Sequence, residues 1–170
     1  MRVTHEPIAR VLLSVLIPRE HRKETMSNTS IEQLNDSVRS LRDELEMLAE
    51  VWANPTDSLA DEVAEGDETW VTFAKWADDN GIDTDDSSDT TEMIETHLSE
   101  SILEAYETGR RDVSRGEWES DGLVVVFSTG GPHIEVKDGR VHGYWSSDRT
   151  SLSLSNAASE MLEQILGIES

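Results

Sequence analysis

From Ser30 the apolar residues Ile31, Leu34, Val38, Leu41, Leu45, Leu48 and Trp52 recur at alternating steps of three and four. That spacing predicts a helix with one narrow apolar seam. Ser30 and Gln33 have the spacing of a capping box at its start, and Asn54-Pro55 ends it, because proline restricts the residue before it and cannot continue the hydrogen-bond ladder. With Ile31 and Val38 at a positions and Leu34, Leu41 and Leu48 at d positions, the seam matches that of a parallel two-stranded coiled coil. Two uses are open: packing on the chain's own domain, or gripping a protein partner or a second copy through Ile31, Leu34, Val38, Leu41, Leu45, Leu48 and Trp52.

Further along, short helices are expected over Ser58 to Glu65 and Glu68 to Asp79, the second presenting Trp70, Phe73, Ala74 and Trp76 to a core and ending at Asn80-Gly81. Thr91 to Thr108 reads as another amphipathic helix, with Met93, Ile94, Leu98, Ile102, Leu103 and Tyr106 on one side and Gly109 closing it. After a polar connection the period changes to two. Leu123 to Phe127, His133 to Val136, Val141 to Trp145 and Ser151 to Leu154 read as four strands separated by turn residues. Ser155 suits the cap of a last helix, Asn156 to Leu166, whose Ala157, Ala158, Met161, Leu162 and Ile165 would cover one sheet face. The fold class is α+β: an N-terminal heptad helix and further helices, then a four-stranded antiparallel sheet with a C-terminal helix packed on it. Residues 1–25 are a mis-called start or a disordered segment, residues 26–54 the heptad helix, and residues 56–170 the α+β domain.

Charge changes this picture at the N-terminus. Residues 1–25 carry five basic and three acidic side chains, whereas residues 26–170 carry nine basic and 33 acidic ones. The mismatch suggests that translation begins at Met26. Ile8 to Ile17 is too short and interrupted to cross a membrane, and no small-residue cleavage pattern follows it.

Over 170 residues the net charge is −22, with 36 acids against 14 cations, and only Lys23, Lys75 and Lys137 are lysines. Carboxylates hold water and ions, and concentrated salt relieves their mutual repulsion, so the composition fits a high-salt interior. Mimicry of a nucleic-acid phosphate lattice, as in an antirestriction decoy, is an alternative use of the same charge. Direct nucleic-acid binding is not expected, since no stretch after residue 25 supplies a basic footprint. No cysteine is present, which removes disulfides, thiolate metal sites and cysteine nucleophiles and suits a reducing cytoplasm.

Little candidate chemistry remains. Asp83, Asp85, Asp86 and Asp89 fail the calcium-loop pattern, since a loop starting at Asp83 has Ser88 where glycine is needed and Ile94 at the twelfth place. Gly130-Gly131-Pro132 lacks the strand-to-helix setting and the Lys-Ser/Thr pair of a phosphate loop, and no G-x-S-x-G or His-Glu-x-x-His occurs. A two-residue turn at Asp138-Gly139 pairs Glu135 with His142 and His133 with Tyr144, gathering His133, Glu135 and His142 on one sheet face. That trio can be read as a divalent-metal or acid–base site, or as an ordinary solvated cross-strand pair. No cofactor is implied, and an enzyme is not expected.

The segment Gly130-Gly131-Pro132-His133-Ile134-x-Val136, followed by Asp138-Gly139-x-Val141-x-Gly143-Tyr144-Trp145-x-x-Asp148-Arg149, resembles a motif in small uncharacterised α+β proteins of phages, plasmids and integrated elements. The resemblance covers about the last 50 residues; those proteins usually carry Asn at the position of His133, and often Trp and Gly at Ser146-Ser147. The overall composition resembles that of haloarchaeal proteins. These resemblances imply an α+β fold in a halophile or its mobile element, with no biochemical activity attached. The leading expectation is a cytoplasmic, non-enzymatic interaction or regulatory protein.

Overall fold

The computed structural model describes residues 19–56, 58–82, 84, 89–112, 117–129 and 131–168, with backbone alone for 19–29, 110–112 and 117–121. The chain forms helices α1 (Arg19–Ala53), α2 (Leu59–Glu65), α3 (Glu68–Asp79) and α4 (Thr90–Ser101). Strands β1 (Glu104–Asp112), β2 (Glu117–Thr129), β3 (His133–Lys137), β4 (Arg140–Trp145) and β5 (Asp148–Ser153) follow, and α5 (Asn156–Ile165) ends the fold. The strands form one antiparallel meander in the order β1-β2-β3-β4-β5. The mixed α+β class is as expected. Most of the segment set apart at residues 1–25 lies outside the described residues, as does most of the acidic loop, including Asp83, Asp85 and Asp86.

Three expectations about the helical half need correction. First, α1 begins at Arg19, so Ser30 lies inside the helix instead of capping it. No proline or glycine interrupts Arg19 to Ala53, and a capping pattern does not start a helix where the preceding residues can continue it. Second, the buried part of α1 is wider than one seam. Leu34, Val38, Leu45 and Leu48 are fully buried, and so is Val51, while Ala49 is nearly so. Ile31, Leu41 and Trp52 are half-buried against the same core. At 100° per residue these positions span roughly 160° of helix surface, too broad for a two-stranded seam and suited to a helix with neighbours on two sides. Helix α1 packs across β4 and β5 and beside α5, and it also touches α3 and α4. The surface expected to hold a partner or a second copy is therefore occupied by this chain's own sheet and helices.

The close approach of α1 to the sheet depends on one residue. Gly143 sits in the middle of β4, and a Cβ there would lie 2.4 Å from Val38 Cγ2 and 2.8 Å from Leu34 Cδ1. Only a hydrogen fits in that space.

Third, the helix expected over Thr91 to Thr108 ends at Ser101. Ile102 takes an extended conformation (φ −77°, ψ 119°), and the Leu103 amide donates to the Val126 carbonyl at 2.8 Å. Glu104 to Asp112 then pair with Val126 to Glu117, making a fifth strand. Leu103 and Tyr106 satisfy the helical spacing, but the Val124-Val125-Val126 run of β2 needs a neighbour on each side. Backbone pairing along its length outweighs a local preference of a few tenths of a kcal/mol per residue. As a result Leu103 and Tyr106 are 58% and 45% exposed instead of lying in the core.

Elsewhere the local signals hold. Asp67 caps α3 by accepting from the Thr69 and Trp70 amides, Asp89 caps α4 through Thr91, and Ser155 caps α5 through Ala158. Asp138 (φ 51°) and Gly139 (φ 65°) form the two-residue turn between β3 and β4. The core joins α1, α3, α4 and α5 to the inner sheet face through Phe73, Ile94, Leu98, Val125, Ile134, Val136, Val141 and Leu162.

Candidate functional site

Because side chains alternate across a strand, seating Ile134, Val136, Val141 and Gly143 toward the helices turns the intervening residues to the opposite face. The observed register makes this face a grid of three rows. One row crosses all five strands through Tyr106, Val124, Lys137, Arg140 and Ser153. The next runs Glu104, Val126, Glu135, His142 and Ser151. The third runs Thr129, His133, Tyr144 and Arg149. Val124 and Val126 on this face are almost fully buried, at 1% and 3% exposure.

The pairings Glu135 with His142 and His133 with Tyr144 are those expected from the turn. The expected trio does not converge, however. Glu135 Oε2 meets His133 Nε2 at 2.9 Å, while Glu135 Oε1 accepts from the Tyr144 hydroxyl at 3.2 Å. His142 instead stacks on Tyr144, with ring centroids 6.2 Å apart and planes 16° apart. The Arg149 guanidinium lies 5.8 Å from the Tyr144 ring centroid, within cation–π range. Among the described residues no group of three or more His, Asp and Glu side chains could hold a metal ion. Burial raises the Tyr144 pKa above its ordinary value, helped by the Glu135 charge and hydrogen bond and opposed by Arg149. Tyr144 thus stays a neutral donor.

Six cationic Lys or Arg side chains are described, and they divide sharply. Arg39, Arg42 and Lys75, on helices, pair with Asp36, Asp43 and Asp79. Lys137, Arg140 and Arg149, all on the outer sheet face, form no ion pair with a described carboxylate. Arg140 donates to the Ser151 and Ser153 hydroxyls at 3.1 Å each. The Asp138-Gly139 turn by itself sets Lys137 opposite Arg140, as the sequence implies, whereas Arg149 reaches the same face only through the pairing of β4 with β5. Asp138 belongs to the turn, and Asp148 pairs with Trp145 on the inner side of the strand alternation.

A second polar group escaped sequence reading. Glu44 of α1 accepts from Trp76 Nε1 and meets His97 Nε2, both at 3.1 Å, and Ser101 Oγ approaches the same His97 nitrogen at 3.4 Å. Serine, histidine and glutamate in one place suggest a catalytic relay, but a relay needs the carboxylate and the hydroxyl on opposite ring nitrogens. Here both address Nε2. The group ties α1 to α3 and α4. A cleft of about 640 Å³ lies between α1, the start of α3 and the start of α5, lined by Glu46, Glu50, Glu68, Met47, Thr72 and Ala157 among others. Glu46 accepts from the Ser155 amide at 2.7 Å and Glu50 from the Thr69 hydroxyl at 3.1 Å, so both carboxylates brace helix starts.

No described helix is long and apolar enough to cross a membrane. No family model, curated protein or solved structure matches this chain.

Proposed function

We propose that this chain is a non-enzymatic interaction or regulatory protein of a halophile or its mobile element, and that it holds a protein partner on the outer face of the sheet. The observation that carries this reading is the linked set of His133, Glu135, Tyr144, His142 and Arg149, each held by contacts with its neighbours. Tyrosine and arginine held in fixed positions lose little freedom on binding, which is why such residues dominate interface energetics. Burial of Leu34, Val38, Leu45 and Leu48 in the chain's own core favours the outer sheet face over the heptad seam as the binding surface.

The test is affinity capture from native extract in multimolar KCl, comparing the wild-type chain with Tyr144→Ala and Arg149→Ala. A stoichiometric protein should return with the wild type and fall by about tenfold or more with each variant, as for residues central to an interface. Equal recovery by the variants, or recovery of the bait alone, would overturn the reading.

A further inference from the structure

Resting on the reading of the outer sheet face as the binding surface, we infer that the element it receives is an acidic polypeptide segment carrying an apolar side chain. The carboxylates lie on Lys137 and Arg140, and the apolar group lies beside Tyr106.

In a chain of net charge −22, each cation described on the helices is paired with a carboxylate, so acids are close to wherever a cation needs one. Lys137 and Arg140 face each other across β3 and β4 with serine hydroxyls as their neighbours on β5. Two adjacent like charges repel, and a carboxylate arriving from outside relieves that repulsion while making charge-assisted hydrogen bonds. Arg149 adds a third cation two rows away, about 13 Å along the strands at roughly 3.3 Å per residue. Against these stand Glu104 and Glu135 on the same face, and Glu135 is engaged by His133 and Tyr144.

The row holding Lys137 and Arg140 continues into Val124 and the half-exposed Tyr106. With Val124 buried, the Tyr106 ring supplies the apolar surface in line with the two cations, and a ligand matching both carries an apolar residue near its acids. A nucleic-acid strand fits less well. The Tyr144 ring already contacts His142 and Arg149, which limits base stacking.

The probe is a fluorescein-labelled peptide of about ten residues, long enough to span the sheet, with alternating Glu and a central Leu-Trp. Anisotropy is measured with the full chain in about 1 M KCl, where the screening length is only ~3 Å and contact pairs alone count. Saturable binding is expected, weakened about tenfold or more by the double change Lys137→Glu and Arg140→Glu, and by replacing the peptide's Glu with Gln. Lys75→Glu, on a helix, should leave affinity within about twofold, as expected for a charge outside the interface. Each variant is first shown to melt like the wild type by circular dichroism. Absence of peptide binding, equal loss from Lys75→Glu, or tighter binding of oligothymidylate at the same site would overturn the inference. If the peptide fails while Tyr144→Ala still releases the captured partner, the acidic-segment inference falls and the interaction reading stands.

Discussion

Replacing Gly143 by alanine tests how the helical layer is seated on the sheet. Two effects oppose each other. Glycine within a strand costs roughly 0.5–1 kcal/mol relative to alanine through backbone entropy, so the substitution taken alone should stabilise. The new Cβ would lie 2.4 Å from Val38 Cγ2 and 2.8 Å from Leu34 Cδ1, however. Carbon atoms prefer about 3.5–4.0 Å, so the overlap with Val38 exceeds 1 Å by that standard. Val38 is β-branched and fully buried, so it cannot swing aside, whereas the end of Leu34 has more freedom. Overpacking of this kind costs about 1–3 kcal/mol, and the steric effect wins. The net loss expected is about 1–2 kcal/mol, or roughly 2–8 °C in melting temperature for a chain of this size.

Val38→Ala alone should cost about 2 kcal/mol by leaving a cavity. Together the two changes should cost about 1–2 kcal/mol less than their sum, because the methyl introduced by Gly143→Ala occupies the space vacated by the Val38 side chain. Urea denaturation at fixed KCl, followed by circular dichroism, measures all four corners of this cycle. Additivity to within about 0.5 kcal/mol would refute the close approach of α1 to β4.

Leu45→Asp separates intramolecular packing from association. A carboxylate placed at this fully buried position should cost on the order of 4 kcal/mol and unfold much of the protein, whereas a soluble, folded monomer would show that the seam faces a partner instead. Tyr144 predicts a difference at alkaline pH. Its folded pKa is raised, so the folded state holds the phenolic proton more tightly than the unfolded chain does. The resulting stabilisation is fully present below the ordinary tyrosine value of about 10 and is lost as pH rises through the folded value. Tyr144→Phe should therefore lose less stability than the wild type between neutral and strongly alkaline pH. Equal losses in the two proteins would contradict the raised value.

Much of the fold was legible because it rests on local rules. Asn54-Pro55 ended α1, Ser155 capped α5, and Asp138-Gly139 determined the register of β3 on β4 residue by residue. The alternation that followed placed His133, Glu135, His142 and Tyr144 on one face. What each did there was not legible. Side-chain reach gave Glu135 to His133 and Tyr144 and left His142 to stack, a choice made by rotamers and distances that strand spacing does not encode.

The remaining differences share a cause, competition between local preference and distant partners. Leu98, Ile102, Leu103 and Tyr106 have helical spacing, and the need of β2 for a neighbour decided that the helix stops at Ser101. The heptad pattern determined that α1 would bury a stripe, but a stripe does not name its occupant; Gly143, which brings β4 against Val38 and Leu34, settled that the occupant is the chain's own sheet. Net charge was fixed by composition alone. Lys137 met Arg140 through the local turn, but Arg149 came onto the same face only when β5 paired with β4. Periodicity reports which residues are buried, and the sheet register decides which ones meet.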